Sequence, residues 1–191
     1  MNITGHKRIL NRTEYYSPSS PGSAQDMTAK ICGILKGLHC EKRDIIVLCI
    51  GTDRATGDAL GPLVGSRLTT TICNYKVFGT LQHPVHALNL SDTIKHIYTH
   101  YNQPIIIAID ASLGQKSDVG MVTLSKAPLF PGIGVNKKLP AIGDLSITGI
   151  VNLSGNPGLS LLQSTRLYTV SNMADYIADV ITQSCLVMQS K

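Results

Sequence analysis

The chain has no Cys-x-x-Cys pair, no apolar run longer than six residues, and only two glutamates. Each shortage excludes something. The five cysteines, Cys32, Cys40, Cys49, Cys73 and Cys185, are an odd number, and Cys32 and Cys40 stand eight apart, too far for a zinc knuckle. Cys49 lies inside an apolar run and reads as a reduced, buried thiol, which favours a reducing cytosol. The longest apolar run, Ile45 to Ile50, is far short of the roughly 20 residues a membrane-spanning helix needs. The start, MNITGHKRILNRTEYYSPSSPGS, lacks the unbroken apolar stretch of a secretion signal. A soluble cytoplasmic protein with no membrane partner is expected.

Charge is scarce as well, at 15% against roughly 25% for an average soluble chain. Seventeen Lys and Arg face twelve Asp and Glu, for a net +5. Residues 1–43 hold seven basic and three acidic residues, so +4 of that excess sits there and +1 in the remaining 148 residues. No Lys/Arg run or RNA-binding aromatic pattern accompanies it, so a nucleic-acid partner is not expected. Three phosphate and nucleophile signatures are also missing. Without Gly-x-Ser-x-Gly, Gly-x-x-x-x-Gly-Lys-Ser/Thr or Gly-x-Gly-x-x-Gly, an α/β-hydrolase serine enzyme, a P-loop NTPase and a Rossmann dehydrogenase are all disfavoured.

What is present is a core-forming chain, 191 residues long and 43% hydrophobic, which suits one globular domain. Residues 1–23 are polar and end in Ser17-Pro-Ser-Ser-Pro-Gly-Ser23, a composition that predicts a flexible arm ahead of a single domain over 24–191. Helical spacing of apolar residues runs from Ala24 to Leu38, from about Asp58 to Ile72, and from about Ser171 to Gln189. Another helix carries Ile94, Ile97 and Tyr98, with Ser91 as its expected cap. Asp44 to Gly51 and Pro104 to Asp110 are short, β-branched and apolar, the pattern of strands buried on both faces. Shorter strands are expected over Tyr75–Thr80 and Val119–Leu124. A hairpin is expected from Leu145–Leu153 and Leu159–Leu167 around Ser154-Gly-Asn-Pro-Gly158. Lys126 to Asp144 reads as a long irregular loop. Alternating strands and helices give an α/β sandwich with a mostly parallel sheet.

In such sheets ligands sit beyond the carboxyl ends of strands near a topological switch point. That rule selects the loop after Ile50, the Gly79-Thr80 corner and Asp110. Asp58 opens a helical stretch and Asp110 leaves an apolar strand, two unlike surroundings in which one carboxyl could work as base and the other as acid. The plainer alternative makes Asp58 a helix cap and Asp110 a turn former. Asp53 could serve an Asx turn, and Arg54 could orient a peptide carbonyl or carboxylate. His83 and His86 flank a proline in a loop, and His96 and His100 share a helix face. Solvated histidines and metal ligands are the competing readings of both pairs.

The segment Ile46-Val-Leu-Cys-Ile-Gly-Thr-Asp-Arg-Ala-Thr-Gly-Asp-Ala-Leu-Gly-Pro62 resembles the corresponding part of the spore germination protease family, GPR. Ala108-Ile-Asp-Ala111 resembles its second aspartate segment, and Pro131-Gly-Ile-Gly-Val-Asn136 its proline-glycine loop. The YyaC-type sporulation protein family is closer, through Gly79-Thr-Leu81, Pro84-Val-His-Ala87, Thr165-Arg-Leu167 and Met173-Ala-Asp175 as well. This resemblance spans about residues 24–188.

It implies a three-layer α/β/α, phosphorylase/hydrolase-like fold shared with hydrogenase-maturation endopeptidases. It also implies catalytic roles for Asp58 and Asp110 in peptide-bond hydrolysis, with small acid-soluble spore proteins as substrates in the forespore or spore core. Asp53, Arg54, Gly132 and Gly134 are the expected substrate-holding residues. In the maturation endopeptidases the positions of Asp58 and Asp110 bind nickel with a later histidine. No histidine follows His100 here, so no cofactor is expected. A metal-dependent variant would draw its divalent ion's ligands from Asp58, Asp110, His83 and His86. A non-catalytic member that binds peptides in the same cleft is the other alternative, and a homo-oligomer is left open.

Overall fold

The computed structural model describes residues 13–71, 74–131, 140–155 and 162–190. Its centre is built by the two apolar runs. Ile45–Cys49 is strand β2 and Ile105–Gly114 is β4, and they pair in parallel from Ile45 opposite Ile105 to Cys49 opposite Ile109. Successive side chains of a strand point to opposite faces, so each run feeds two cores. Val47, Cys49, Ile105, Ile107 and Ile109 enter one, and Ile46, Leu48, Ile106 and Ala108 the other. This is why neither run alternates with polar residues.

The remaining strands are β1 (Glu14–Tyr16), β3 (Lys76–Phe78), β5 (Val122–Ser125) and β6 (Leu145–Leu153). The six lie in the order β1-β5-β6-β4-β2-β3, parallel from β6 through β3 and antiparallel from β6 through β1. Helices α1 (Ser23–Gly37), α2 (Leu60–Leu68) and α4 (Leu167–Gln189) cover one face, and α3 (Leu90–His100) covers the other. The result is the expected mixed α/β sheet between helical layers. Helix α4 supplies Val170, Met173, Ala174, Ile177, Val180 and Ile181 to the core at helical spacing. It meets Met27, Ile31 and Leu35 of α1 there. Arg67 of α2 clamps its first turns by pairing with Asp175 and donating to Ser171 Oγ at 2.9 Å. Among the described residues no helix is long and apolar enough to cross a membrane.

The topology places a site. From β2 the chain crosses over to β3 on one side, then over to β4 on the other. The switch point therefore lies between the carboxyl ends of β2 and β4. Helix α2 is drawn hard against this end. A Cβ on Gly61 would overlap the carbonyl oxygen of Ile50, and one on Gly79 that of Cys49.

Four expectations are corrected. Part of the stretch read as a flexible arm is strand: Glu14–Tyr16 pairs with β5, Lys30 reaches Glu14 at 2.6 Å, and Ser23 starts α1. The segment is too polar to order itself, but a sheet edge orders it through backbone hydrogen bonds. The hairpin of Leu145–Leu153 with Leu159–Leu167 does not form, because β6 pairs with β4 and β5, residues 162–163 are helical, and Leu167 begins α4. Helix α3 is capped at Asn89, which puts Ser91 inside its first turn. Strand β4 runs four residues past Asp110, so that residue lies within the strand and does not leave it.

Candidate active site

The floor of the site is tied together by main chain. Ile50 N–H donates to Ile109 O at 2.7 Å, and Gly51 N–H donates to Val85 O at 2.8 Å. The loop then leaves through Gly51, whose φ of +141° is ready only for glycine. It closes on itself where Thr52 N–H meets Asp58 O at 3.1 Å and Asp58 N–H meets Ala55 O at 3.0 Å. Asp58 lies in the 3-10 turn Thr56–Ala59 that precedes α2, and its side chain caps neither helix. The plain helix-cap reading of Asp58 therefore does not describe it.

Asp58 is half-buried. Burial pushes its carboxyl above the usual range, while a hydrogen bond from the Thr52 backbone and the nearby His86 pull it back. Asp110 behaves differently. Its carboxyl is held well above the ordinary carboxylate range, first by burial and then by the charge of Asp58, against one hydrogen bond from Ala111 N–H to its Oδ1 at 2.8 Å. The chain thus brings its two singled-out aspartates together across the switch point, one from the loop after β2 and one from within β4.

A row of hydroxyls continues from Asp110 across the sheet. Asp110 is opposite Thr148 in the β4–β6 register, and Thr148 is opposite Thr123. Ser112 Oγ donates to Thr148 Oγ1 at 3.2 Å, and the Thr148 and Thr123 hydroxyls are 2.8 Å apart. Sequence reasoning missed this row. Its signal was the alternation Ser146-Ile-Thr148 inside an otherwise apolar strand.

Asp53 and Arg54 are both exposed on the loop, where Arg54 N–H donates to Thr52 Oγ1 at 3.4 Å. Gly132 and Gly134 lie outside the described residues. His83 is exposed, with its N–H on Thr80 Oγ1 at 3.0 Å. His86 is half-buried and fixed: its N–H donates to Asn89 Oδ1 at 2.8 Å, and its Nδ1 accepts from Leu88 N–H at 3.3 Å. That second bond leaves the proton of the neutral ring on Nε2. His96 and His100 stack on each other with ring centroids 4.1 Å apart. Among the described residues no three His, Cys, Asp or Glu side chains are gathered tightly enough to hold a metal ion. The set Asp58, Asp110, His83 and His86 is not assembled as a ligand cage. Cys49, fully buried, has its thiol pushed up by burial and is the inert core thiol expected.

Three comparisons bear on the chain. The family model described as "Protein of unknown function (DUF1256)" matches residues 18–180. The "Uncharacterized protein YyaC" of Bacillus subtilis (strain 168) is 43% identical over 167 residues, covering 87% of this chain and 80% of that one. Among solved structures, the NiFe hydrogenase maturation protease HycI from Thermococcus kodakarensis KOD1 superposes with a TM-score of 0.49 at 16% identity, covering 80% of this chain and 98% of that one.

Proposed function

The chain belongs to the family described as a protein of unknown function, DUF1256, and from its site we propose an endopeptidase that hydrolyses peptide bonds with the pair Asp58 and Asp110, acting on small acid-soluble spore proteins. The observation that carries this reading is the pairing of two carboxyls in unequal environments at the switch point of the sheet. The segments that resemble the germination protease family are the ones that supply these two residues.

Unequal carboxyls can divide the work. Asp110, favoured in its protonated form, donates a hydrogen bond to the scissile carbonyl oxygen and passes its proton to that oxygen as water adds, giving a gem-diol. Asp58, the ionised partner, accepts a proton from water as that water attacks the carbonyl carbon. The tetrahedral intermediate then collapses: the proton held on Asp58 passes to the leaving nitrogen, the C–N bond breaks, and Asp110 recovers its proton from the gem-diol as the new carboxyl forms. Each removal of such a positioned proton donor or acceptor costs on the order of 10²–10⁴ in rate.

The test is incubation with a purified small acid-soluble spore protein, followed by intact mass over time. Asp58→Asn, Asp110→Asn and a chelated sample run alongside. Defined fragments that disappear in both variants and persist under chelation support the reading. Cleavage by both variants at the native rate sinks the aspartate assignment, and loss of cleavage on chelation replaces it with metal-dependent chemistry.

A further inference from the structure

Next to the aspartate pair runs an open groove of about 800 Å³, bounded by β3 on one side and the first turns of α3 on the other. We propose that this groove binds an unfolded polypeptide in extended form, laid as an added strand along the outer edge of β3 with its chain leading toward Asp58. The inference deepens the endopeptidase reading by assigning the substrate's conformation, and it rests on that reading for the direction in which the chain runs.

Three observations carry it. First, β3 is the last strand of the sheet, and among the described residues no strand lies beyond it. Such an edge offers main-chain donors and acceptors that an extended backbone matches and a small ligand does not. Phe78 is half-buried in the groove, edge-on to His96 at 5.9 Å between ring centroids. It gives one apolar patch beside that edge.

Second, the groove leads to the chemistry. It includes Val85 and His86. Val85 O accepts from Gly51 N–H at 2.8 Å, and Gly51 begins the loop that carries Asp58. A chain that leaves the groove past His86, across the carboxyl ends of β3 and β2, arrives at Asp58, which His86 is near enough to influence.

Third, the charges select the ligand class. The lining contains hydroxyl, amide and imidazole groups and one carboxylate, Asp92, but no Lys or Arg. Phosphate-bearing ligands find no cation there. With Asp92 in the lining and Asp58 near its His86 end, the complementary occupant is a polypeptide that is neutral or basic.

The probe is reduced lysozyme blocked with iodoacetamide and labelled with fluorescein, an unfolded chain of net positive charge. Its binding is read by anisotropy with the native protein and with Gln82→Trp and Asp92→Trp. Both tryptophan changes are at exposed positions that line the groove, and melting temperatures confirm that they fold. The expected result is binding by the native protein, weakened by roughly tenfold or more in each tryptophan variant. Slowed amide exchange of the bound protein at Lys76–Phe78 is expected with it. No binding by the native protein, native-like binding by both tryptophan variants, or slowed exchange confined to other elements overturns the proposal. Binding of the probe together with no cleavage of a purified small acid-soluble spore protein sinks the endopeptidase reading and leaves the groove standing.

Discussion

Asp58 stands near enough to Asp110 for its charge to add to the burial that holds the Asp110 carboxyl well above the usual carboxylate range. Burial raises Asp58 as well, but a hydrogen bond from the Thr52 backbone and the nearby His86 favour its ionised form. Two carboxyls in such unequal surroundings set the form of the pH dependence of turnover. Activity is expected to rise as Asp58 ionises and fall again as Asp110 loses its proton, a bell whose two limbs belong to the pair and not to either residue alone. Initial rates of spore-protein cleavage across the pH range check this. A rate that climbs without an alkaline limb contradicts a protonated Asp110 in the reaction.

The same burial has a stability consequence of opposite sense to a salt-bridged carboxylate. Asp110 binds its proton more tightly folded than unfolded, so its own contribution to native stability is fully present below the unfolded pKa of about 3.9. It is lost as pH rises toward the folded pKa, because in that window the native state holds more protons than the unfolded one. Asp110→Asn removes the cost of burying the charge. The variant is expected to melt above the native protein at neutral and alkaline pH, with the gap shrinking toward pH 4. Thermal melts of both proteins at several pH values decide it.

Gly79 tests how closely the corner after β3 must approach β2. Its φ is +89°, and a Cβ there would overlap the Cys49 carbonyl oxygen, a backbone atom that cannot swing aside. Gly79→Ala is expected to cost on the order of 3 kcal/mol. That corresponds to about 10 °C in Tm for a chain of this size. Gly120→Ala is the comparison. Gly120 also has positive φ, at +92°, but nothing lies within 4 Å of an added Cβ, so the smaller loss there measures backbone strain alone.

Cys32, Cys40, Cys49 and Cys185 are all buried. Cys49, pushed up by complete burial, is the most protected of them against thiolate chemistry. Iodoacetamide applied to the native protein is expected to leave these four unmodified by peptide mass mapping, and to modify all four after denaturation. Native-state alkylation of Cys49 would show that the β2–α2 contact opens readily.

Legibility in the sequence followed the range of the interactions involved. The two central strands could be read because Ile45–Ile50 and Ile105–Ile109 carry their burial locally, in unbroken apolar runs. The site neighbourhood followed from them through the position of the switch point. Asp110 was read as leaving its strand because the apolar run stops at Ile109, whereas backbone pairing with β6 continues as far as Gly114 opposite Leu153. Pairing of that kind leaves no mark on hydrophobicity. The cap of α3 went to Ser91 on residue preference alone, while Asn89 is engaged with His86 N–H and with Pro84 O at 3.0 Å. The tie from His86 to Asp58 joins residues that only the folded sheet brings together. Over its described residues, 162–167, the expected Leu159–Leu167 strand is absent for the opposite reason: a locally suitable pattern has no partner left once β6 is taken on both sides.

Strand β1 pairs Glu14 with Leu124 and Tyr16 with Val122, joining the beginning of the chain to a strand more than 100 residues later. At ribosomal rates of roughly 5–20 residues per second, the partner emerges about ten seconds after the strand itself. Through that interval the segment waits beside the nascent domain with its hydrogen bonds given to water. Its polar, proline-flanked sequence is suited to the wait, since it offers little for premature association. Closing the sheet edge is therefore a late event of biosynthesis, reached only when β5 has left the exit tunnel.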